Sequence, residues 1–269
     1  MDSRRMLVRT HVTAARESAT GTRQKVSSRV RRTAGGAARE AGWHLAVPVL
    51  RRQARHRLPV LEPGAVTVVT VNWNSWEYLV VLLDVVGRRS PDTRILIVDN
   101  GSSDGSPDRL RQRLDIERLL LPVNLGHDLA LDLGVLRCST EYVVTLDVDA
   151  FPLRDDWLDQ LLQPLQQGAQ IYGARLWRPF VHPCCLAMRT SHFVEQEHSF
   201  RSRYWVTPGT EDSRHDVGED MLGRPSALHF FTITSQRGPG DVGPVFDDLV
   251  HHNFYATRFA SVSHLKFAG

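Results

Sequence analysis

The sequence predicts an α/β protein built on a mostly parallel sheet with helices on its faces. From Pro63 onward, short runs rich in β-branched residues alternate with stretches of amphipathic helical pattern, an order typical of parallel sheets covered by helices. Polar residues follow several of these runs directly. With 269 residues, of which 42% are hydrophobic and 23% charged, the chain has room for one large domain, or for one domain and an appendage.

Four strands are expected because each is a short, apolar and largely β-branched run that ends at a polar residue. They are predicted at residues 66–71, 94–98, 117–121 and 142–146. The loop after the second strand, residues 99–105, contains two glycines. Glycine permits a ligand to approach the backbone closely, so this loop is a candidate binding loop.

Each strand is followed by a predicted helix that begins next to a residue typical of helix N-termini. Asn72, Asn74 and Ser75 precede the first helix, and Asp155 and Asp156 open the last one. The helices are predicted at residues 76–88, from 103 or 106 to 114, from the Asn-Leu-Gly turn at 124–126 to about 138, and from 155 to 166.

The polar strand ends point to one edge of the sheet. In open parallel sheets, ligands bind beyond the carboxyl ends of the strands, so Asn72, Asp99 and Asp147 are expected to lie along the same edge. Asp147 and Asp149 have the spacing that lets two carboxylates share a divalent cation such as Mg²⁺ or Mn²⁺. Taken alone, such a pair is a weak signal, because acidic pairs also occur in turns and helix caps.

Four segments agree in order and spacing with one enzyme family: Val-Asn-Trp-Asn-Ser at 71–75, Ile-Val-Asp-Asn-Gly-Ser-Ser-Asp-Gly-Ser at 97–106, Asn-Leu-Gly at 124–126 and Leu-Asp-Val-Asp-Ala at 146–150. Together they resemble the family 2 glycosyltransferases of the Rossmann-like GT-A fold, especially the rhamnosyltransferase-like branch. The resemblance covers about residues 65–166 and weakens after residue 170.

The resemblance implies a nucleoside-diphosphate sugar donor, with UDP or dTDP favoured as its nucleotide. Asp99 would contact the base or ribose, and Asp149, assisted by Asp147, would hold Mn²⁺ or Mg²⁺. Such a cation acts as a Lewis acid on the departing nucleotide. Further contacts to the donor are implied for Asn72, Asn74, Gly101, Asn124, Gly126, Asp147 and Arg258.

Two C-terminal segments extend the resemblance. An acidic pair places Asp220 as the general base for the acceptor hydroxyl, with Glu219 as the alternative and Asp216 as a third candidate. An acidic helix N-terminus stabilised by the helix dipole is the competing structural interpretation. Either His251 or His252 would complete the metal site, and His264 is a more remote candidate.

Two residues depart from the pattern of the family. Asp132 stands where the family usually has an asparagine, and His127 stands where it has an aromatic or small residue. We therefore expect the contacts to the sugar to differ from those of typical members.

The charge is concentrated at the N-terminus. Residues 1–58 contain 14 Arg and Lys but three acidic residues, whereas the remainder is net negative. We expect residues 1–58 to form a basic extension that is flexible or lies on an anionic membrane surface, and the resemblance implies that residues 59–269 form a GT-A glycosyltransferase domain. Pro48 is expected to interrupt any helix there. Nucleic acid is not favoured as a partner, because nothing in this extension resembles a nucleic-acid-binding motif.

No apolar run reaches the roughly 18 residues that a membrane helix needs, and no secretory signal is recognised. A cytoplasmic location is expected, with peripheral attachment to the inner face of the membrane as its extension. The three cysteines are expected to be reduced thiols.

The function expected from these features is metal-dependent, inverting transfer of a single sugar to an alcohol acceptor. The acceptor could be a glycan, a lipid-linked glycan or glycolipid, or a small natural product. A non-catalytic nucleotide-sugar-binding module that recruits a partner through its basic tail is the alternative from another class. A sugar-phosphate nucleotidyltransferase is less favoured, because residues 71–76 contain neither glycine nor lysine.

Overall fold

A central seven-stranded sheet organises the protein in the computed structural model, which describes residues 36–175, 180–204, 214–219, 221, 228–231, 233–236 and 243–253. The strands of this sheet are β1 (Glu62–Asn72), β2 (Arg94–Asp99), β3 (Glu117–Leu120), β4 (Thr140–Leu146), β6 (Ile171–Arg175), β7 (Val181–Arg189) and β10 (Leu228–Phe231). Their order across the sheet is β10-β6-β7-β4-β1-β2-β3.

The strands on either side of β1 run parallel to it, as the sequence predicts. β1 pairs with β2 and β4, and β2 pairs with β3, all in parallel. Only β7 runs antiparallel to its neighbours β4 and β6 among the strands described for this sheet. Asn72 is in register with Asp99, so the expected alignment of these two strand ends is confirmed.

Helices cover both faces of the sheet. They are α1 (Val47–Arg57), α2 (Trp76–Arg89), α3 (Ser106–Gln112), α4 (His127–Val135), α5 (Trp157–Gln166) and α6 (Thr190–Glu195). Successive side chains of a strand point to opposite faces; accordingly, Val69 and Val71 pack in the core beneath α4, whereas Val66 and Val68 pack beneath α2 and α5. The predicted α/β fold is confirmed.

A second sheet lies beside the end of β4. It contains β5 (Ala150–Pro152), β11 (Ile233–Gln236), β12 (Pro244–Phe246) and β13 (Val250–His252), in the order β11-β12-β13-β5. All of its pairings are antiparallel. Two short strands, β8 (Arg203–Tyr204) and β9 (Arg214–His215), form a separate antiparallel pair.

The described part of the basic extension is helical, so the expectation that Pro48 interrupts a helix is wrong. Residues 36–41 are helical, a π-helical turn follows at Gly42–Ala46, and Pro48 occupies the second position of α1. Pro48 therefore lies inside a continuous helical run, where proline lacks the N–H for the usual helix bond and its ring crowds the preceding turn. The π-helical turn directly before it changes the hydrogen-bond spacing at the point where the proline ring enters.

This N-terminal helix packs against the core of the protein rather than leaving it. Trp43, Val47 and Ala54 are buried in the core that also contains α4 and α6. The buried Arg51 donates to the carbonyl oxygens of Phe193, at 3.1 Å, and of His198. The flexible or membrane-bound extension therefore stays a prediction for residues 1–35, which lie outside the described residues. Within the described part of the chain, no helix is long and apolar enough to cross a membrane.

Candidate functional site

The Asp147–Ala150 turn is built where β4 ends and β5 begins. The backbone N–H of Asp147 donates to the carbonyl of Cys184 on β7 at 3.1 Å, which extends the pairing of β4 beyond its last residue. The N–H of Ala150 donates back to the carbonyl of Asp147 at 2.9 Å and closes the turn. Both aspartates are therefore fixed at the carboxyl edge of the sheet.

His252 lies opposite this turn because β13 pairs with β5. His252 is in register with Ala150, and the next residue, Asn253, donates its N–H to the carbonyl of Asp149 at 2.8 Å. His252 Nε2 lies 3.4 Å from Asp147 Oδ2 and 3.4 Å from Asp149 Oδ1. His251 precedes it on the strand and faces the other side of the sheet.

Three ligand atoms, one each from Asp147, Asp149 and His252, lie within 4.8 Å of one another. Ligands of one cation bound at about 2.1 Å lie roughly 3 Å apart, so this set fits a divalent ion. Two carboxylate oxygens suit Mg²⁺ and Mn²⁺, and the imidazole nitrogen favours a transition metal such as Mn²⁺. Three protein ligands also leave coordination positions open for substrate oxygens.

The site is buried on one side and open on the other. The side chains of Asp149 and His252 are 7% and 5% exposed, whereas Asp147 is 20% exposed. Burial lowers the pKa of His252, but its contacts with Cys184 and the two aspartates outweigh burial and raise that pKa well above its usual value. Burial raises the pKa of Asp147, but hydrogen bonds from His127 and His252 hold it well below its ordinary range.

Three further side chains lie beside the cluster and were not predicted as part of the site. His127 Nε2 lies 3.3 Å from Asp147 Oδ1, and the Cys184 thiol contacts both His182 and His252. The departure of His127 from the family pattern was the available signal for the first of these. Cys184 and His182 lie on β7, whose return beside β4 was not predicted.

The expected nucleotide loops are joined by hydrogen bonds between strand ends. Asp99 is fully buried, and its two oxygens accept from the Asn72 side-chain amide at 2.8 Å and from the N–H of Ser102 at 2.9 Å. Ser103 donates its N–H to Asn74 Oδ1 at 2.7 Å. In this structure, Asp99 and Asn74 therefore organise the loop itself.

Gly101 and Asn124 connect this loop to the following one. Gly101 has a φ of +74°, and an added Cβ would lie 2.4 Å from the carbonyl carbon of Val123, so a side chain does not fit. Asn100 donates to Asn124 Oδ1 at 3.1 Å, and Asn124 Oδ1 also accepts the N–H of Gly126 at 2.8 Å. Gly126, with a φ of +92°, leads directly into α4.

Of the candidate bases, Asp216 and Glu219 lie within the described residues, at the two ends of a short turn. The carboxylate of Glu219 accepts the N–H of Asp216 at 2.7 Å, as in a capping box. The preceding Gly218 donates its N–H to the carbonyl of Phe200 at 3.1 Å. These contacts close the turn at residues 216–219. Asp220, Arg258 and His264 lie outside the described residues.

The fold and the site together define a GT-A domain. The sheet is mostly parallel, an Asp-x-Asp turn follows β4, and polar loops follow the neighbouring strands. Residues 67–206, more than half of the chain, match the family model described as "Glycosyl transferase family 2". The chain belongs to this family. A comparison with curated proteins finds no match.

Solved structures are similar to the chain at low sequence identity. TarS 1–349 from S. aureus in complex with UDP-GlcNAc is 15% identical, with a TM-score of 0.43, over 51% of this chain and 48% of that chain. Mannosyltransferase PcManGT from Pyrobaculum calidifontis in complex with GDP-Man and Mn²⁺ is 19% identical, with a TM-score of 0.46, over 62% of this chain and 59% of that chain. The chain thus spans about half the length of the first structure.

Proposed function

We propose that the chain transfers a single sugar from a nucleoside-diphosphate sugar to an alcohol acceptor, with inversion at the anomeric carbon and with Mn²⁺ or Mg²⁺ as cofactor. The observation that carries this proposal is the cluster of Asp147, Asp149 and His252 at the carboxyl edge of the sheet, within the family 2 domain. The cluster is open on the side of Asp147, where a diphosphate would enter.

The nucleotide would lie over the joined loops of β1 and β2. Asn72 Oδ1 is buried and has no hydrogen-bond partner among the residues that the structure describes. It is therefore available to an N–H or hydroxyl of the base or ribose. The side-chain amide of Asn72 donates to Asp99, and this bond orients Asn72. The contact supports a role of both residues at the nucleotide.

The backbone turns at Gly101 and Gly126 would complete the donor site. Gly101 is packed against the backbone of residue 123, and Asn124 holds the turn that leads to Gly126. Neither glycine carries a side chain that would fill the space above the strand ends. Arg258 is proposed to contact the diphosphate by the sequence resemblance alone.

Catalysis needs a base for the acceptor hydroxyl and a stabilised leaving group. A divalent cation held by Asp147, Asp149 and His252 would stabilise the charge that develops on the departing nucleoside diphosphate. We propose Asp220 as the base, because the carboxylate of Glu219 is engaged with the N–H of Asp216. The base takes the proton of the attacking hydroxyl as the bond to the anomeric carbon forms.

The acceptor is proposed only as a class, an alcohol of a glycan, a lipid-linked glycan or a small molecule. The basic residues within 1–35 favour an acceptor that is held at a membrane, because each Arg near an anionic surface contributes on the order of 1 kcal/mol of attraction. Attachment to the inner face of the membrane is part of the same proposal. Co-sedimentation of the full chain with anionic vesicles at low salt tests it, and no binding would remove it.

Thermal unfolding with UDP, dTDP, GDP, CMP and ADP, each with and without Mn²⁺, tests the donor proposal. A ligand at 100 times its Kd stabilises the native state by about 2.7 kcal/mol, which moves the midpoint by several degrees in a domain of this size. We expect a Mn²⁺-dependent shift with one nucleotide and none in Asp149→Ala. Asp155→Ala is the control, since the side chain of Asp155 is 87% exposed and pairs with Arg89 rather than with the cluster. No shift with any nucleotide would count against both the transferase and the nucleotide-sugar-binding module.

A further inference from the structure

The carboxylate of Asp147 is held between two histidines, one on each oxygen. His127 Nε2 lies 3.3 Å from Oδ1, and His252 Nε2 lies 3.4 Å from Oδ2. Oδ2 therefore faces the side on which Asp149 and His252 meet, and Oδ1 faces away from it. A carboxylate can rotate about its Cβ–Cγ bond, so a contact on Oδ1 determines which oxygen is presented to the cluster.

His127 is well placed to supply this contact because its backbone is fixed. It is the first residue of α4 and follows Gly126, where an added Cβ would lie 2.8 Å from Asp128 Oδ1 and 2.9 Å from Arg39 Nε. Asp128, the next residue, is buried and forms an ion pair with Arg39. Asp128 also accepts the N–H of Ser202 at 3.0 Å. The start of α4 is thus held from two sides.

The imidazole of His127 reaches the cluster but does not belong to it. Its side chain is 39% exposed, and the set of mutually close ligand atoms found among the described residues comprises Asp147, Asp149 and His252 only. Groups that hydrogen-bond to metal ligands orient them, and their loss typically weakens metal binding by about 10- to 100-fold.

We propose that His127 is a positioning residue for the metal site: it holds Asp147 Oδ1 so that Oδ2 is presented to a cation shared with Asp149 and His252. The inference rests on the metal site of the proposed function. In this arrangement α4 helps to keep the metal site in its binding geometry. The N-terminal helix contributes indirectly, because Arg39 pairs with Asp128 on α4.

The test is a titration of the full chain with MnCl₂, in which free Mn²⁺ is measured by electron paramagnetic resonance. His127→Ala and His127→Phe remove the N–H donor, and the second of them keeps the volume of the ring. Both should bind Mn²⁺ about 10- to 100-fold more weakly than the wild type. His127→Gln keeps a donor at the end of the side chain and should restore most of the affinity. His56→Ala, which removes an exposed histidine on α1, should change nothing.

The outcomes separate this inference from the function on which it rests. One outcome is that Asp149→Ala loses Mn²⁺ binding while His127→Ala and His127→Phe bind as tightly as the wild type. This result would overturn the positioning role and leave the metal site intact. An equal loss in the Gln, Ala and Phe variants would also overturn it, because rescue by a donor is what distinguishes positioning from packing. A wild-type protein that binds no Mn²⁺, alone or with any of the five nucleotides, would remove the metal site and the inference together.

Discussion

The carboxylate of Asp132, on α4, accepts the backbone N–H of Phe200 at 2.7 Å inside the core. Its other oxygen accepts the hydroxyl of Ser199 at 2.7 Å. Asp132 is fully buried, and burial raises its pKa to about 7, although the bonds from Phe200 and Ser199 and the charge of Arg51 oppose that effect. A titrating carboxyl therefore lies at the junction of α4 with residues 199 and 200.

The first prediction concerns the pH dependence of stability. The pKa of Asp132 is about 7 in the folded state and near its ordinary value of 3.8 in the unfolded state. Between these values the unfolded chain has lost the proton that the folded protein retains, so stability falls as pH rises from about 4 to about 7, by on the order of 4 kcal/mol. Asp132→Asn removes this loss, since its amide can accept from Phe200 and donate to Ser199.

Urea unfolding at pH 5 and pH 8 measures this effect. Asp132→Asn should be more stable than the wild type at pH 8 and should show a flatter dependence on pH. Asp92→Asn, at an exposed position, is the control and should keep the wild-type slope. Equal slopes for the wild type and Asp132→Asn would show that Asp132 is ionised throughout.

A second prediction compares neighbouring arginines of α1. Arg51 is buried and donates to two backbone carbonyls, whereas Arg52 is exposed. Hydrogen bonds from charged groups contribute about 1.5–3 kcal/mol each, so loss of the two bonds in Arg51→Ala should lower the free energy of unfolding by about 3–6 kcal/mol. Arg52→Ala should stay within about 0.5 kcal/mol of the wild type. Similar effects of the two changes in urea unfolding would mean that α1 is not docked in solution.

The fold up to residue 166 could be predicted because strand and helix periods are local properties of the sequence. The return of β7 beside β4, and the pairing of β13 with β5, depend on contacts between distant segments and have no such signal. The docked helix before residue 58 was missed for another reason. Pro48 predicts an interrupted helix, but the π-helical turn at Gly42–Ala46 directly precedes α1 and lets the helical run continue past the proline.

The candidate site was predictable in part. Asp147 and Asp149 could be placed at the sheet edge from their position after a strand. The choice between His251 and His252 could not be made, because adjacent residues of a strand face opposite sides and only the pairing with β5 decides which one meets the aspartates. The contact of His127 with Asp147 could not be foreseen, since it depends on how α4 is docked.

A third prediction separates backbone strain from steric exclusion in the nucleotide loop. Gly101 and Gly105 both have positive φ, +74° and +86°, but only Gly101 has backbone atoms where a Cβ would be placed. Each substitution to alanine costs about 1 kcal/mol from the conformation alone. Gly101→Ala should lose on the order of 1–3 kcal/mol more, because the Val123 backbone must move.

The consequence for binding distinguishes the two variants further. Gly101→Ala displaces the loop that carries Ser102, a partner of Asn72 and Asp99, so its nucleotide-dependent thermal shift should be reduced or lost. Gly105→Ala should keep the shift. A retained shift in Gly101→Ala would place the nucleotide elsewhere than over this loop.

The last prediction concerns the pH dependence of metal binding. In the metal-free protein, burial lowers the pKa of His252, but Cys184 and the two aspartates raise it well above its usual value. An imidazole must lose its proton to bind a cation, so Mn²⁺ competes with a proton below that pKa. Asp147 does not add to this competition, since its pKa lies well below the ordinary range. Affinity for Mn²⁺ should therefore rise by about tenfold per pH unit and level off above the pKa of His252.

Calorimetric titration with MnCl₂ at pH 6.5, in two buffers of different ionisation enthalpy, counts the protons released. We expect close to one proton for the wild type. His252→Gln should bind more weakly but release none, because the glutamine amide does not titrate, and its affinity should be independent of pH between 6 and 8. Wild-type binding without proton release would mean that His252 is already neutral, or that the cation is held by Asp147 and Asp149 alone. The affinity of the wild type for Mn²⁺ would then be as independent of pH as that of His252→Gln.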